Sequence, residues 1–431
     1  MESSPWFRRE SLRLLVLLLA LLAAVSALAA DATFTPQLRL GFAQGDQWEP
    51  AIAADGFGHV YVLYPQYGRL PGCASCVLPS MTLVMSDDNG VTWQPPRGIS
   101  PHTSGQFDAQ VVVDPIDRRT VYASWLQNRN TDAIVAKSVD FGQSWSIVIA
   151  DRGDEDADKP ILAVRGLDVY VAFNRRHRMR VASSHDGGFT FTSSEVYPAL
   201  IFMRSLAGGA VIDPDGIVHL AWAGYRQRAS ARGGVILFTS KSSDGGRTWA
   251  TRLMDVSSAP PDCSAFHCEW GYLGAQITLA ADAAGTLYAL WNSGNGDGSP
   301  ERIYFASSTT AGDIWSPKTD VSLAPSGVEH AFPTAVAGSA GDVRIAWMDT
   351  RNRPLWNTFY RSSTNGGATW STESRISSYV PGYRYVHSRG FSFPFGDYFE
   401  MGIDNRGGTQ AVWGEGLNYR SPGSIWYSRG R

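Results

Sequence analysis

Helical periodicity is missing from this 431-residue chain beyond residue 30, where no window of useful length repeats its apolar residues at the spacing of an α-helix. Charged residues make up only 18% of the chain and the formal net charge is −3, which argues against a nucleic-acid partner. There is no nucleotide-binding loop, no His-Glu-x-x-His zinc motif and no Gly-x-Ser-x-Gly nucleophile elbow. These absences exclude a helical fold and argue against the enzyme classes that depend on those motifs.

Long apolar runs are also absent, except at the N-terminus. Three arginines, an apolar stretch and a small-residue cleavage site follow one another there: Arg8, Arg9 and Arg13, then Leu14–Leu22, then Ala27-Leu28-Ala29. This order predicts a signal peptide over residues 1–29 and a secreted or extracytoplasmic mature chain, residues 30–431. The alternative is a retained anchor, although the stretch from Leu14 to Ala30 is slightly short for a span. We expect no membrane span in the mature chain.

Cysteine is scarce, with four residues in two close pairs: Cys73 with Cys76, and Cys263 with Cys268. In an exported protein such pairs predict two local disulfide bonds. A zinc site would need all four cysteines, or three of them with His267, to meet in space. We therefore expect no metal and no other cofactor. Calcium is the one alternative, at the acidic segment 154–158 or the glycine-rich loop 292–297, although neither matches an EF-hand loop.

Glycine (44) and tryptophan (15) are abundant, and both recur in an eight-residue motif, S-x-D-x-G-x-T-W. Its six copies begin at Ser86, Ser138, Ser184, Ser242, Ser308 and Ser363. Its acidic position holds Asp88, Asp140, Asp186, Asp244 and Asn365, and the copy at Ser308 has lost it. The Ser and Asp side chains can bond N–H groups of their own turn, the Gly supplies φ > 0, and the Trp is an apolar plug. We therefore expect these five residues to be structural.

A second repeat lies upstream of the first and consists of a strand, a tight turn and a strand that ends in an aromatic residue. It occurs seven times, with the aromatic residues Tyr64, Trp125, Phe173, Trp222, Trp291, Trp347 and Trp413. A period of about 50 to 60 residues that carries four strands is that of a propeller blade. The sequence therefore predicts an all-β protein, a single seven-bladed β-propeller. Because an open sheet edge is costly, we expect the strand-like segment Thr33–Gly41 to complete the last blade and close the ring.

The S-x-D-x-G-x-T-W motif resembles the Asp-box of the sialidase-like (BNR-repeat) propeller superfamily, over essentially the whole mature chain. The resemblance implies a propeller and, as an expectation, an exo-α-sialidase-type glycoside hydrolase. Sialidase catalytic domains have six blades, so a six-bladed ring is the alternative. The family's Arg-Ile-Pro motif is not present in this sequence. No catalytic residue is therefore carried over by motif.

Site candidates follow instead from chemistry on the face of the propeller that carries the long loops, where sites usually form. For glycoside hydrolysis we expect Asp108 as the acid/base and Tyr398 with Glu400 as an activated nucleophile pair. Arginine forks bind carboxylates, so the predicted substrate clamp is Arg204, Arg226 and Arg351. The other predicted substrate-binding residues are Asp349, Trp356, His387 and Arg389.

Two alternatives fit the same face. A polysaccharide lyase that acts on uronates needs a cation for the carboxylate and a His or Tyr base. One loop offers such residues: Tyr383, Arg384, Tyr385, His387 and Arg389. A non-catalytic glycan-binding or adhesion propeller would need aromatic residues but no catalytic carboxylate pair. The glycoside hydrolase and both alternatives predict a glycan or glycoconjugate as the partner. We expect the protein to be a monomer.

Overall fold

The computed structural model describes residues 31–431 with gaps. It does not describe residues 42–44, 71, 101–102, 198–201, 227–232, 267–272, 379–385, 388 and 418–422, or the side chains of residues 386–387 and 395–397. The predicted signal peptide, residues 1–29, lies outside the described part. Within the described part the chain forms thirty β-strands and one short 3-10 helix, at Cys263–Phe266. This agrees with the missing helical periodicity.

Seven antiparallel sheets, the blades, follow one another along the chain. Blade 1 contains β2 (Ala51–Ala54), β3 (Val60–Gln66), β4 (Ser80–Ser86) and β5 (Arg97–Gly98); blade 2 contains β6 (Phe107–Val113), β7 (Val121–Gln127), β8 (Asp132–Ser138) and β9 (Ser146–Arg152). Blade 3 contains β10 (Ala157–Arg165), β11 (Asp168–Arg175), β12 (Arg178–Ser184) and β13 (Thr192–Tyr197); blade 4 contains β14 (Arg204–Ile212), β15 (Val218–Tyr225), β16 (Val235–Ser242) and β17 (Ala250–Ser257). Blade 5 contains β18 (Ile277–Ala281), β19 (Leu287–Ser293), β20 (Arg302–Ser308) and β21 (Thr319–Asp320).

The last two blades are irregular. Blade 6 contains β22 (His330–Ala337), β23 (Val343–Asn352), β24 (Leu355–Ser363) and β25 (Ser374–Arg375), and is extended by β26 (Val386–His387) and β27 (Gly390–Phe391). Blade 7 contains β28 (Phe393–Ile403), β29 (Thr409–Gly416), β30 (Ser424–Gly430) and, from the other end of the chain, β1 (Leu38–Arg39).

The first strand of each blade contacts the first strands of both neighbouring blades, from β2 around the ring to β28 and back to β2. The protein is therefore a seven-bladed propeller, as predicted, and the six-bladed alternative is wrong. Seven clusters of buried apolar residues each join a different pair of neighbouring blades. The repeated aromatic residues pack into these clusters, and five of them are fully buried tryptophans: Trp125, Trp222, Trp291, Trp347 and Trp413. Interdigitated apolar packing between blades thus holds the ring.

The ring is closed by the N-terminal segment, as predicted. β1 pairs antiparallel with β30, with Leu38 opposite Tyr427 and Arg39 opposite Trp426. The Thr33 N–H donates to the carbonyl of Arg431 at 3.0 Å, and the Arg431 N–H donates back to Thr33 at 3.2 Å. The first described strand therefore covers the edge that β30 would otherwise expose.

The S-x-D-x-G-x-T-W turns have one hydrogen-bond pattern. In the first copy, Ser86 Oγ donates to Asp88 at 2.8 Å and accepts from the Gly90 N–H at 2.8 Å. Asp88 accepts from the N–H groups of Val91 and Thr92 at 3.0 and 2.8 Å. Partial burial opposes ionisation of Asp88, but the hydrogen bonds from Thr92 and Ser86 lower its pKa to about 2. The same side-chain bonds recur at Asp140, Asp186, Asp244 and Asn365.

Replacing Asp88 by alanine should lower the free energy of unfolding by about 1–2 kcal/mol, because the N–H groups of Val91 and Thr92 lose their acceptor. Asp215, an exposed residue in the turn between β14 and β15, is the matched control. Asp215→Ala should change the same free energy by less than about 0.5 kcal/mol. Urea unfolding of both variants measures the difference, and equal effects would contradict a structural role for the acid.

Candidate functional site

The propeller has two chemically different faces. On the turn face, the repeated motif contacts the turn between the first and second strands of its blade. In blade 1, for example, the Asn89 N–H donates to the carbonyl of Gly58 at 2.8 Å. On the loop face, the connections between blades meet the loops between second and third strands. The Gly153 N–H, for example, donates to the carbonyl of Thr131 at 3.0 Å. The long loops lie on the loop face, as expected.

A central channel of about 720 Å³ is lined by the first strand of every blade. Much of its wall is apolar, with residues such as Ala53, Val111 and Leu279. Polar side chains line the half nearer the loop face: Gln110, Lys159, Gln276, Tyr398 and Glu400. A concave site with few converging polar groups is the common form of a ligand site.

Backbone irregularities mark the loop-face ends of the first strands. Four residues there have positive φ angles: Glu49 (48°), Asp108 (58°), Lys159 (46°) and Phe332 (54°). The strand register shifts around three of them, at Asp108, Lys159 and Phe332. Non-glycine residues rarely adopt this conformation, and such strain concentrates at functional sites. Two of the four residues belong to the polar cluster described next.

The predicted catalytic residues meet around a lysine. The Lys159 N–H donates to Asp108 Oδ2 at 3.2 Å. The Lys159 ammonium lies 4.7 Å from the centre of the Tyr398 ring, at cation–π distance. Asp108, Lys159 and Tyr398 are all buried. Together with Glu400 and Gln110 they form what we call the channel cluster.

Glu400 sits between blades 7, 1 and 2. One carboxylate oxygen accepts the N–H of Ile52 at 3.2 Å, and the other accepts the side-chain amide of Gln110. Burial raises the pKa of Glu400 to about 7, against the opposing effects of Gln110, Ile52 and the Lys159 charge. Near neutral pH this carboxyl group can therefore either give or take a proton.

The predicted arginine clamp is not assembled in this structure. Arg351 donates to both carboxylate oxygens of Asp349, at 2.9 and 2.6 Å, and also pairs with Glu373. Arg204 is ion-paired with Asp158. Arg226 is exposed at the end of β15. None of the three lines the channel among the described residues.

The remaining predicted substrate-binding residues lie in blade 6. Asp349 is fully buried and accepts the Trp347 indole N–H at 3.0 Å in addition to its bonds with Arg351. Trp356 is fully buried between blades 6 and 7, so its ring offers no open surface for stacking. Arg389 is exposed. The side chain of His387 and residues 383–385 lie outside the described part.

The cysteines and the segments 154–158 and 292–297 are the candidate metal-binding positions of the sequence. Cys73 and Cys76 form the predicted disulfide bond. Cys263 is also disulfide-bonded, and its predicted partner Cys268 lies outside the described residues. Within the described residues no group of three or more His, Cys, Asp or Glu side chains is placed to hold a metal ion. In the acidic segment 154–158, Glu155 pairs with Arg176 and Asp158 with Arg204. No helix in the described part of the chain has the length and apolarity needed to cross a membrane.

Two residues of the channel cluster, Lys159 and Gln110, were not among the predicted site residues. Lys159 stands in β10, the first strand of blade 3, where the channel wall is otherwise mainly apolar. A lysine in such a strand is a signal in the sequence from which Lys159 could have been predicted as a site residue. Gln110 has no comparable signal, because its role depends on meeting Glu400, which is 290 residues away in the chain.

Apart from the channel cluster, a pair of carboxyl groups is buried between blades 5 and 6. Glu301 and Glu329 are both fully buried, and the Glu301 N–H donates to Glu329 Oε2 at 3.0 Å. Glu301 accepts the side-chain amide of Asn292 and the hydroxyl of Ser257. Burial raises the pKa of Glu301 to about 8, and burial together with the Glu301 charge raises that of Glu329 well above its usual value. Neither carboxylate has an ion-pair partner among the described residues.

Comparison with known proteins identifies the fold. No protein-family profile and no curated protein matches the sequence. Among solved structures, a protein of unknown function from Dyadobacter fermentans is 14% identical with a TM-score of 0.53, over 93% of this chain and 99% of its own. An ulvan lyase bound to -[GlcA(1-4)Rha3S]- is 12% identical with a TM-score of 0.52, over 90% and 95%. An intramolecular trans-sialidase from Ruminococcus gnavus is 12% identical with a TM-score of 0.45, over 91% and 96%. These neighbours include polysaccharide lyase and sialidase propellers, and identities this low show the propeller fold alone.

The buried pair should make the protein less stable as pH rises. A carboxyl group whose pKa is raised by folding releases its proton more readily when unfolded, so stability falls above its ordinary pKa by up to about 1.4 kcal/mol per pH unit. Glu329→Gln removes one such group and should flatten this decline between about pH 5 and about pH 8. Urea unfolding across this range measures it, with the exposed-site variant Asp215→Asn as control. Parallel declines in Glu329→Gln and the unmodified protein would contradict the assignment.

Proposed function

We propose that this protein is an enzyme that acts on an acidic glycan at the loop-face half of the channel, with Tyr398, Lys159 and Glu400 as its catalytic residues. The supporting observation is the position of the Lys159 ammonium, 4.7 Å from the centre of the Tyr398 ring. A phenol, a cation and a carboxyl group with a pKa near neutrality form a set suited to proton transfer beside a carboxylate.

The reaction that best fits this set is β-elimination at a uronate. The Lys159 ammonium would pair with the sugar carboxylate, and Tyr398, as its phenolate, would remove the proton from the adjacent carbon and become the phenol. The released electron pair would form a carbon–carbon double bond as the glycosidic C–O bond breaks. The leaving oxygen would take the proton back from the Tyr398 phenol, which restores the phenolate. Lys159 would stabilise the negative charge that develops in the transition state.

The fold is compatible with this reaction. The structural match with the ulvan lyase, which shares this fold, covers 95% of the length of that enzyme. At 12% identity this is an analogy of fold, and fold does not fix function. The proposal therefore depends on the channel cluster.

Exo-sialidase-type hydrolysis is the second candidate. Tyr398 and Glu400 both line the channel and stand two residues apart in β28, so a Tyr–Glu nucleophile pair could form there. Arg351 is held by Asp349 and Glu373, however, so the arginine clamp would have to be assembled from other contacts. We therefore rank elimination first. A glycan-binding propeller without catalysis is the third outcome that the experiment distinguishes.

We also propose that the protein works outside the cytoplasm. The Cys73–Cys76 disulfide bond is typical of an oxidising compartment. The N-terminal sequence pattern, with its arginines followed by an apolar stretch, supports the same location.

Tyr398→Phe and Lys159→Met should each lower kcat by about 100-fold or more, because one removes the proton-transfer group and the other the charge-stabilising cation. The assay incubates the purified chain, residues 31–431, with uronate polymers. It follows the ultraviolet absorbance of the unsaturated product. A parallel assay with a fluorogenic sialoside detects hydrolysis. Asp215→Asn, on the turn face, is the control and should keep full activity.

Turnover of the sialoside alone, abolished by Tyr398→Phe, would replace elimination with hydrolysis at the same site. Binding on a glycan array without turnover of either substrate would contradict an enzymatic function. Activity that survives both Tyr398→Phe and Lys159→Met would place the catalytic site elsewhere.

The pH dependence should follow Glu400. Because its pKa is raised to about 7, the carboxyl group is neutral below that pH and ionised above it. Ionised Glu400 would repel the substrate carboxylate, so kcat/KM should fall as pH rises through about 7. Glu400→Gln keeps a neutral group and should remove this fall. A rate that rises through pH 7, with Glu400→Gln inactive, would show instead that Glu400 acts as the base.

A further inference from the structure

Three aromatic rings lie side by side on the loop face, where blades 1 and 2 adjoin. The ring centres of Trp48 and Tyr67 are 5.5 Å apart, and those of Tyr67 and Phe107 are 6.4 Å apart. All three residues are partly exposed. We call them the aromatic row. Aromatic surface that stays open beside a channel is a common component of ligand sites.

The fold does not require aromatic residues at these positions. Trp48 and Phe107 each directly precede one of the four residues with positive φ at the loop-face ends of the first strands. The residues at the same place in blades 3 and 6 are Asp158 and Ala331. Tyr67 directly follows the second strand of its blade. The residues that follow the second strands of blades 2 to 5 are Asn128, Arg176, Arg226 and Gly294. The aromatic row is therefore specific to blades 1 and 2 and is not part of the propeller repeat.

Backbone hydrogen bonds hold the segments of the aromatic row together. The Tyr67 N–H donates to the carbonyl of Asp46, two residues before Trp48, at 2.8 Å. The Gln106 N–H, directly before the third ring, donates to the carbonyl of Pro79 in the loop that follows Tyr67, at 2.8 Å. The rings are thus fixed relative to one another before a ligand arrives, which lowers the entropy cost of binding.

The aromatic row begins at the rim of the channel. Phe107 directly precedes Asp108, which belongs to the channel cluster. Trp48 lies four residues before Ile52, whose N–H donates to Glu400 at 3.2 Å. The first strands of the two blades, β2 and β6, are in contact with each other. A glycan with one ring at the channel cluster can therefore continue over the aromatic row.

The charges near the aromatic row disfavour an acidic sugar on it. Along the chain, the charged residues nearest the three rings are Asp46, Glu49, Asp108 and Arg69. Three carboxyl groups against one cation disfavour a negatively charged sugar, because like charges placed together weaken binding. Lys159, the cation of the channel cluster, lines the channel instead. A uronate is therefore better placed in the channel, and an uncharged sugar, whose C–H groups can lie against aromatic rings, on the row.

We propose that the aromatic row binds an uncharged sugar ring next to the uronate that occupies the channel. Tyr67 and Phe107 contact the C–H groups of this sugar, and Trp48 extends the same surface. The substrate is then an acidic polysaccharide in which a uronate is linked to an uncharged sugar. This inference rests on the proposed function, because the uronate in the channel positions the rest of the glycan.

Calorimetric titration with two matched hexasaccharides tests the proposal. N-acetylheparosan joins glucuronate to uncharged N-acetylglucosamine, and N-sulfoheparosan has the same backbone with a negative sulfate on the second sugar. The titrated protein, residues 31–431, carries Tyr398→Phe so that turnover does not disturb the measurement. We expect the acetylated hexasaccharide to bind at least about tenfold more tightly than the sulfated one, because the sugar on the row is then uncharged.

Substitutions in the same background locate the binding. Tyr67→Ala and Phe107→Ala should each weaken binding of the acetylated hexasaccharide by about tenfold, because a ring that contacts the sugar is lost. Tyr67→Phe keeps the ring and should bind like the parent. Phe57→Ala removes an exposed aromatic ring on the turn face and should also bind like the parent. Circular-dichroism spectra like that of the parent ensure that a loss of binding reflects the surface rather than the fold.

The inference is overturned if both alanine variants of the row bind as tightly as the parent, if Phe57→Ala loses as much binding as they do, or if the sulfated hexasaccharide binds as tightly as the acetylated one. Absence of binding of both hexasaccharides also overturns it. Turnover by the unmodified protein judges the proposed function separately. Cleavage of a uronate polymer with normal binding by the row variants would keep that function and reject the row, whereas row-dependent binding without any turnover would do the reverse.

Discussion

The pairing of β1 with β30 is the interaction on which the rest of the structure depends. Each blade packs against two neighbours through its own cluster of apolar residues, so no blade buries both of its sides unless the ring is complete. The short segment Leu38–Arg39 supplies the outer strand of blade 7 and covers the edge of its third strand. Closing the ring in this way removes the exposed edge that would otherwise invite pairing with other chains.

The fold could be predicted from the sequence because its signals are local. Ser86, Asp88 and Gly90 make their bonds within one turn, and the same turn recurs around the ring. The arrangement of the candidate site could be predicted only in part. Asp108, Tyr398 and Glu400 do come together, but the contacts that define the cluster join distant segments, as Gln110 does with Glu400. Ion-pair partners are equally non-local, so the sequence gives no sign that Arg351 is already held by Glu373.

Two kinds of buried carboxyl group illustrate why a raised pKa alone does not identify a site. Glu301 and Glu329 lie between blades and line no part of the channel among the described residues, so their protons affect stability. Glu400 has a similarly raised pKa but lines the channel and lies close to a cation and a phenol. Access and neighbours, rather than the size of the shift, distinguish a functional group from a structural one.

Ring closure also determines when the channel cluster forms. β28, which carries Tyr398 and Glu400, belongs to the one blade built from both ends of the chain. A chain interrupted anywhere before β30 would have neither the third strand of that blade nor a partner for β1. Such a fragment would expose open sheet edges to proteases. The channel cluster is thus a property of the complete ring, because only a molecule that can close its ring acquires it.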